Sequence, residues 1–156
     1  MAKHFKGSRR EERALAAYVK LMRASESVHA EAVRSLAKFS LTASQFAVLE
    51  ALCHVGPMVL SELARKVLKT SGNLTMVVDN LERRGLARRV PSKEDRRYIS
   101  VEATRAGREL MGAIFPDHVA CLTELMSALS GDEQEELARL CKQLGQTVAD
   151  AGRRTI

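Results

Sequence analysis

The sequence predicts a mainly α fold with one small β hairpin past its midpoint, and three observations lead there. Apolar residues recur at helical spacing from residue 9 to residue 39, with no Pro or Gly between them. Two shorter amphipathic segments, each opened by a capping residue, lie between residues 61 and 85. The pattern then changes to short, alternating segments on either side of a polar, arginine-rich turn.

The first helix, residues 9–39, sets Leu15, Tyr18, Met22, Ser25, His29, Ala32 and Leu36 at alternating three- and four-residue steps. A stripe of that length is more than one small domain uses, and it reads as a seam against other long helices. Ser40-Leu41 breaks the pattern, and Thr42 with Gln45 then forms a capping box. The second helix turns Phe46, Leu49, Leu52 and Cys53 inward and ends at Gly56-Pro57. After a short extended piece at Met58-Val59, Ser61 is expected to cap a third helix carrying Leu63, Ala64 and Val67.

Thr70 is expected to cap a fourth helix, with Leu74, Val77, Val78 and Leu81 on one face. Gly72, Asn73, Met76, Asp79, Asn80 and Arg83 take the other face, and Gly85 stops the helix where a left-handed residue is wanted. Residues 86–90 and 98–101 form the hairpin, with residues 91–96 as a polar tip. Thr104 caps a fifth helix holding Leu110, Ile114, Leu122, Leu125 and Leu129, which Pro116 should kink. Ser130 and Glu133 make a second capping box, opening a sixth helix with Leu137, Leu140, Leu144 and Val148.

The expected architecture is therefore a winged helix-turn-helix core over residues 41–103. Long helical segments, 9–39 and 105–151, flank it within a single domain spanning 1–156. A length of 156 residues suits one domain that buries roughly 70% of its unfolded surface. No apolar run approaches the ~18 residues of a membrane span, and the N-terminus lacks a signal peptide's apolar stretch. A cytoplasmic protein with no membrane partner is expected.

The formal charge is +6, from 25 Lys+Arg against 19 Asp+Glu. Its distribution says more than its sum. Within residues 83–97, Arg83, Arg84, Arg88, Arg89, Lys93, Arg96 and Arg97 face only Glu94 and Asp95, which makes this the densest charge in the chain. Such a segment is a candidate phosphate-binding surface. Residues 1–40 are also basic, and residues 108–156 are acidic. With four Phe, two Tyr and no Trp, a reader that stacks single-stranded bases is disfavoured.

A major groove accepts one helix, and the fourth helix supplies an apolar back with a front of small polar groups. Gly72 allows close backbone approach, Asn73 and Thr75 can hydrogen-bond base edges, and Ser71 with the helix N-terminus suits a phosphate. A guanidinium on a narrow ribbon can enter a minor groove, which fits Arg96 and Arg97, with Asp95 holding one of them. Arg83, Arg84, Arg88, Arg89 and Lys93 would flank the groove and meet phosphates. Each piece alone reads more readily as solvated surface; it is their order that makes a winged helix.

At these residues the sequence resembles the multiple antibiotic resistance regulator (MarR) family of bacterial transcription factors. The resemblance rests on residues 41–49, Leu60 to Ala64, Ser71 to Thr75, Val78 to Leu86, Asp95-Arg96-Arg97, Val101 and Thr104 to Gly107. It implies an obligate homodimer held by the terminal helices, binding a near-palindromic operator on double-stranded DNA. It also implies that Gly72, Asn73, Thr75 and Met76 face the major groove and that Arg97 is the minor-groove arginine, steadied by Asp95. Relatives often carry Arg at the place of Met76, so an apolar contact such as a thymine methyl is expected there. Ala103 stands where a leucine is common. Repression is the expected sign, because blocking a promoter needs only occupancy.

Many relatives respond to small aromatic or phenolic effectors in a cleft between the dimerisation helices and the winged helix. Tyr18, Arg23, Phe39, Phe46, His54 and His118 are the residues here that could line one, and each is also an ordinary core or surface residue. No cofactor is expected. The histidines, His4, His29, His54 and His118, show no zinc-binding spacing, so no metal site is expected, and His29 reads as an interface residue. Cys53, Cys121 and Cys141 are an odd, widely spaced set at helix positions where a small core residue serves. Nucleophile-elbow, phosphate-loop and dinucleotide motifs are missing, which argues against an enzyme. The remaining alternative is a winged-helix protein-interaction module without specific DNA binding, for which the arginine-rich hairpin would be unnecessary.

Overall fold

The computed structural model of the chain describes residues 5–67, 71–91 and 98–153. They run in the order α1 (Arg9–Leu36), a 3-10 turn (Ala37–Phe39), α2 (Ala43–His54), β1 (Met58–Val59), α3 (Leu60–Lys66), α4 (Ser71–Arg83), β2 (Ala87–Pro91), β3 (Ile99–Ala103), α5 (Arg105–Met126) and α6 (Gly131–Arg153). The fold is mainly helical with one small antiparallel sheet, as the sequence pattern predicts. Two compact units are present, residues 1–119 and residues 120–156.

Local chemistry sets most boundaries. Ser8 opens α1 through a capping box with Glu11, whose carboxylate accepts from both the Ser8 amide and its hydroxyl at 2.8 Å. Ser40, at a φ of 54°, takes the left-handed conformation that turns the chain from α1 toward α2. Thr42 and Gln45 form the expected capping box, each side chain bonding the other's amide. Gly56 leaves α2 at a φ of 100°. In the second unit, Ser130 and Glu133 cap α6 in the same way as Ser8 and Glu11 cap α1.

Two expectations are corrected. α3 begins one residue before Ser61: Val59 occupies the cap position, without a side-chain bond, because the chain enters this helix directly from β1. The hairpin strands are shifted from the expected 86–90 and 98–101, and the second is one residue longer. Leu86 belongs to the turn that closes α4, and β3 continues to Ala103 because Glu102 and Ala103 pair with Arg88 and Ala87 of β2. β1, two residues long, adds as a third strand: Met58 faces Val101, Val59 faces Ser100, and the sheet order is β1-β3-β2. The expected cap at Thr70 lies outside the described residues. α5 runs as one helix through Pro116, which has no N–H to give the Gly112 carbonyl.

The first unit's core is assembled from α2, α3, α4, the sheet and the first half of α5. Leu49, Leu63, Leu74, Leu81, Val48, Val78, Val101 and Ile114 are its fully enclosed side chains. α1 differs from these elements. Leu36 is its one buried residue, while Tyr18, Leu21 and Met22 are exposed. In the second unit α6 likewise exposes Leu137, Leu140 and Leu144. Cys141 also lies exposed on α6, so it is not part of the chain's own core as its helix position suggested. No helix among the described residues is long and apolar enough to cross a membrane.

Candidate nucleic-acid interface

The end of α4 is held by a Schellman turn. Gly85 donates to the Glu82 carbonyl at 2.8 Å and Leu86 to the Leu81 carbonyl at 2.9 Å, with Gly85 at a φ of 67°. Leu81 and Leu86, which this motif brings together, are both buried. The helix is thus fixed at its C-terminal end and along its back, where Leu74, Val77, Val78 and Leu81 enter the core. Its front is turned out. Asn73 and Thr75 are exposed, and Met76 is 59% exposed, an uncovered apolar side chain among polar neighbours. Ser71 and Gly72 lie in the first turn, and their side chains fall outside the described residues.

The arginines beside this helix divide into two groups. Arg83 is exposed at its far end and donates to Asn80 Oδ1. Arg88, on β2, pairs with Glu102 on β3 with Nε at 2.7 Å, while its side chain stays 66% exposed. Both remain within reach of solvent. Arg84 and Arg89 are bonded to neighbouring elements, Arg84 from an exposed position and Arg89 from a mostly covered one. Arg89 bonds Glu82 through its guanidinium and its amide and reaches Asp79 Oδ1 at 2.8 Å, leaving its side chain only 28% exposed. Arg84 Nη1 donates to the Ser40 carbonyl at 2.7 Å and reaches Gln45 Oε1 at 3.5 Å. Two of the segment's cations therefore hold α4 in place. Lys93, Asp95, Arg96 and Arg97 lie outside the described residues.

Thr104 fastens the base of the hairpin. Its hydroxyl donates to the Gly85 carbonyl at 2.6 Å and accepts from Gly107 N–H at 3.1 Å, while its amide donates to the Leu86 carbonyl at 3.0 Å. One residue thus caps α5 and ties it to the end of α4.

Of the candidate effector residues, the structure pairs Phe46 with His118, their ring centroids 4.6 Å apart. His118 is buried, with Nδ1 3.4 Å from Ser35 Oγ, a hydroxyl that also bonds the Ala32 carbonyl. His54 meets Phe115 edge-on at 5.2 Å. Lys38 lies over the Phe39 ring at 5.1 Å. Tyr18 and Arg23 stand exposed on α1. A cleft of about 280 Å³ opens between α2 and the end of α3, with Glu50, His54 and Lys66 on its walls. Cys53 is half-buried, and burial pushes its thiol up, with Arg108 pulling partly back. Among the described residues no three metal-ligating side chains converge.

Sequence reasoning missed the engagements of Arg84 and Arg89, because their partners lie on other elements; the acidic Asp79 and Glu82 just before the basic stretch hinted at that of Arg89.

Comparison with known proteins agrees with this geometry. Residues 41–99 match the MarR family. The HTH-type transcriptional regulator MhqR of Bacillus subtilis is 37% identical over 134 residues, covering 86% of this chain and 92% of that protein. The crystal structure of AbsC, a MarR family transcriptional regulator from Streptomyces coelicolor, superimposes with a TM-score of 0.81 at 21% identity, over 95% of this chain and 99% of that one. BpsR of Bordetella bronchiseptica, whose DNA binding is regulated by 6-hydroxynicotinic acid, aligns with a TM-score of 0.76 at 24% identity, over 83% of this chain and 98% of that one. With a regulator's sequence relationship along most of its length and an outward-facing helix beside a basic strand, the chain belongs to the MarR family of DNA-binding transcriptional regulators.

Proposed function

We propose that the chain acts in the cytoplasm as a homodimer whose two winged helices bind a near-palindromic duplex operator and repress transcription by occupying it. The observation that carries this reading is α4, with an apolar back locked into the core and Asn73, Thr75 and Met76 exposed in front. A helix held that way enters a major groove without having to be ordered first. Gly72 would face the major groove beside Asn73, Thr75 and Met76 and allow close approach, Ser71 would meet a phosphate, and Arg83, Arg88 and Lys93 would add phosphate contacts. Arg96 and Arg97, with Asp95 orienting Arg97, would reach the minor groove from the hairpin tip.

The long helices support the homodimer. α1 spans 28 residues with a single buried side chain, and helices in proteins draw most of their stability from a packed face. The exposed apolar side chains of α1 and of α6 suit a second copy of the same chain.

Release by a small aromatic or phenolic effector extends the proposal. BpsR, with its 6-hydroxynicotinic acid, supports that ligand class. Within this chain the Phe46–His118 and His54–Phe115 pairs, and the cleft carrying Glu50, His54 and Lys66, offer aromatic and polar partners.

The test is duplex binding as a function of salt. If the dimer neutralises ~8 phosphates, the slope of log affinity against log salt is near −7. A slope near zero contradicts the proposal and favours a protein-binding winged helix.

A further inference from the structure

Three residues at the end of α4 meet the turn that follows α1, the start of α2 and the start of α5. Arg84 donates to the carbonyl of Ser40, where the chain leaves α1 through a left-handed residue. The same guanidinium reaches Gln45 Oε1, the group that accepts the Thr42 amide in the cap of α2. Gly85 and Leu86 present their carbonyls to Thr104, which starts α5. Gly107, one turn into α5, packs so closely on Leu86 that a Cβ there would collide with the Leu86 carbonyl oxygen. The end of the DNA-facing helix is thus bonded on one side to the exit of α1 and on the other to the entry of α5.

We propose that residues 84–86 form the joint that sets the angle of α4 against the long helices, with Arg84 as its positioning residue. The two sides of the joint differ in kind. On the α5 side the contact is short, made by backbone and a small hydroxyl, and has no slack. On the α1 side one long side chain spans 44 positions of sequence to a main-chain carbonyl. A charged donor makes a stronger hydrogen bond to a carbonyl than a neutral one, so Arg84 holds the turn between α1 and α2 without covalent constraint. Loss of Arg84 leaves α4 fixed to α5 and to the core along its back, and removes its tie to the turn that follows α1. This rests on the homodimer reading above, in which the long helices carry two copies of α4 at a fixed separation. In that arrangement Arg84 determines how strictly the protein measures the distance between half-sites, without touching DNA.

The experiment uses the full-length protein and the consensus duplex it selects from random DNA. One and two base pairs are inserted between the half-sites or removed, and affinity is measured for each duplex with wild type, R84A and R84K. Wild type is expected to prefer one spacing. R84A is expected to flatten that preference by about threefold or more, while keeping its affinity for isolated half-sites. R84K, which keeps a cationic donor for the Ser40 carbonyl, is expected to restore most of it. Should R84A fail to fold by circular dichroism, R84Q carries the same test, since its shorter amide cannot reach that carbonyl.

Unchanged spacing preference in R84A overturns the joint, as does a uniform loss of affinity at every spacing. A wild-type protein indifferent to spacing overturns the paired half-site reading itself, and is distinguished from failure of the joint by the wild-type series alone.

Discussion

Gly107 packs directly over the main-chain carbonyl of Leu86, so close that an added Cβ would lie 3.1 Å from the carbonyl carbon and inside contact distance of its oxygen. The same carbonyl accepts the Thr104 amide, and Gly107 N–H is bonded by the Thr104 hydroxyl. Gly107→Ala therefore pushes a methyl group into backbone that is already bonded. A loss of ~3 kcal/mol is expected in chemical denaturation, at the upper end for an added methylene. Thr104→Val, which keeps the shape and removes the hydroxyl, should lose ~1–2 kcal/mol. A Gly107→Ala protein as stable as wild type would show that α5 and the α4 turn do not approach as described.

Arg89 is expected to behave as a structural residue. It sits between Asp79 and Glu82 and is mostly covered. Its partners are themselves partly exposed, so the coupling of Arg89→Met with Asp79→Asn should be modest, ~1 kcal/mol in a double-mutant cycle of unfolding. The salt slope of DNA binding should stay the same in Arg89→Met, because a guanidinium held by two carboxylates releases few phosphate counterions. A slope about one unit shallower would mean that Arg89 leaves α4 for the DNA.

These two predictions mark what could be read from the sequence. The caps at Thr42 and Ser130 and the stop at Gly85 were legible because their partners lie within a few positions along the chain. The apolar back of α4 was legible for the same reason, as a period in one helix. The partners of Arg84 and Arg89 were not, since a run of arginines looks alike whether its members face solvent or a neighbouring helix. β1 was legible as an extended pair of residues, but its pairing with Ser100 and Val101 depends on the path of the whole core. The apolar stripes of α1 and α6 were visible in the sequence, and the structure shows Tyr18, Met22, Leu137, Leu140 and Leu144 exposed in the single chain.

Exposed and close together on α4, Asn73 and Met76 should set base preference. Asn73→Ala is expected to cost ~1–3 kcal/mol on the preferred duplex and much less on unrelated DNA. Met76→Arg replaces an apolar contact by a bidentate donor, so sites selected from random duplexes should shift toward guanine at one position per half-site. Equal losses on all sequences for Asn73→Ala, or an unchanged consensus for Met76→Arg, would place these side chains away from the bases.

Cys53 is expected to be a slow thiol. Burial raises its pKa, so the folded chain favours the protonated form. The associated stability is present below the unfolded thiol's pKa of about 8.5 and is lost as pH rises through the higher folded value. Alkylation of Cys53 at pH 7.5, followed by mass spectrometry, should lag well behind that of the denatured chain. Labelling as fast as in the denatured chain would contradict the burial and point to a reactive, redox-competent thiol.

The central claim is that two copies of α4 read paired half-sites on duplex DNA. Selection of bound sequences from a random duplex library by the purified protein tests it most directly. The expected result is an inverted repeat with half-site centres ~10 bp apart, one helical turn. A library that enriches no sequence, or only a single unpaired half-site, would contradict it.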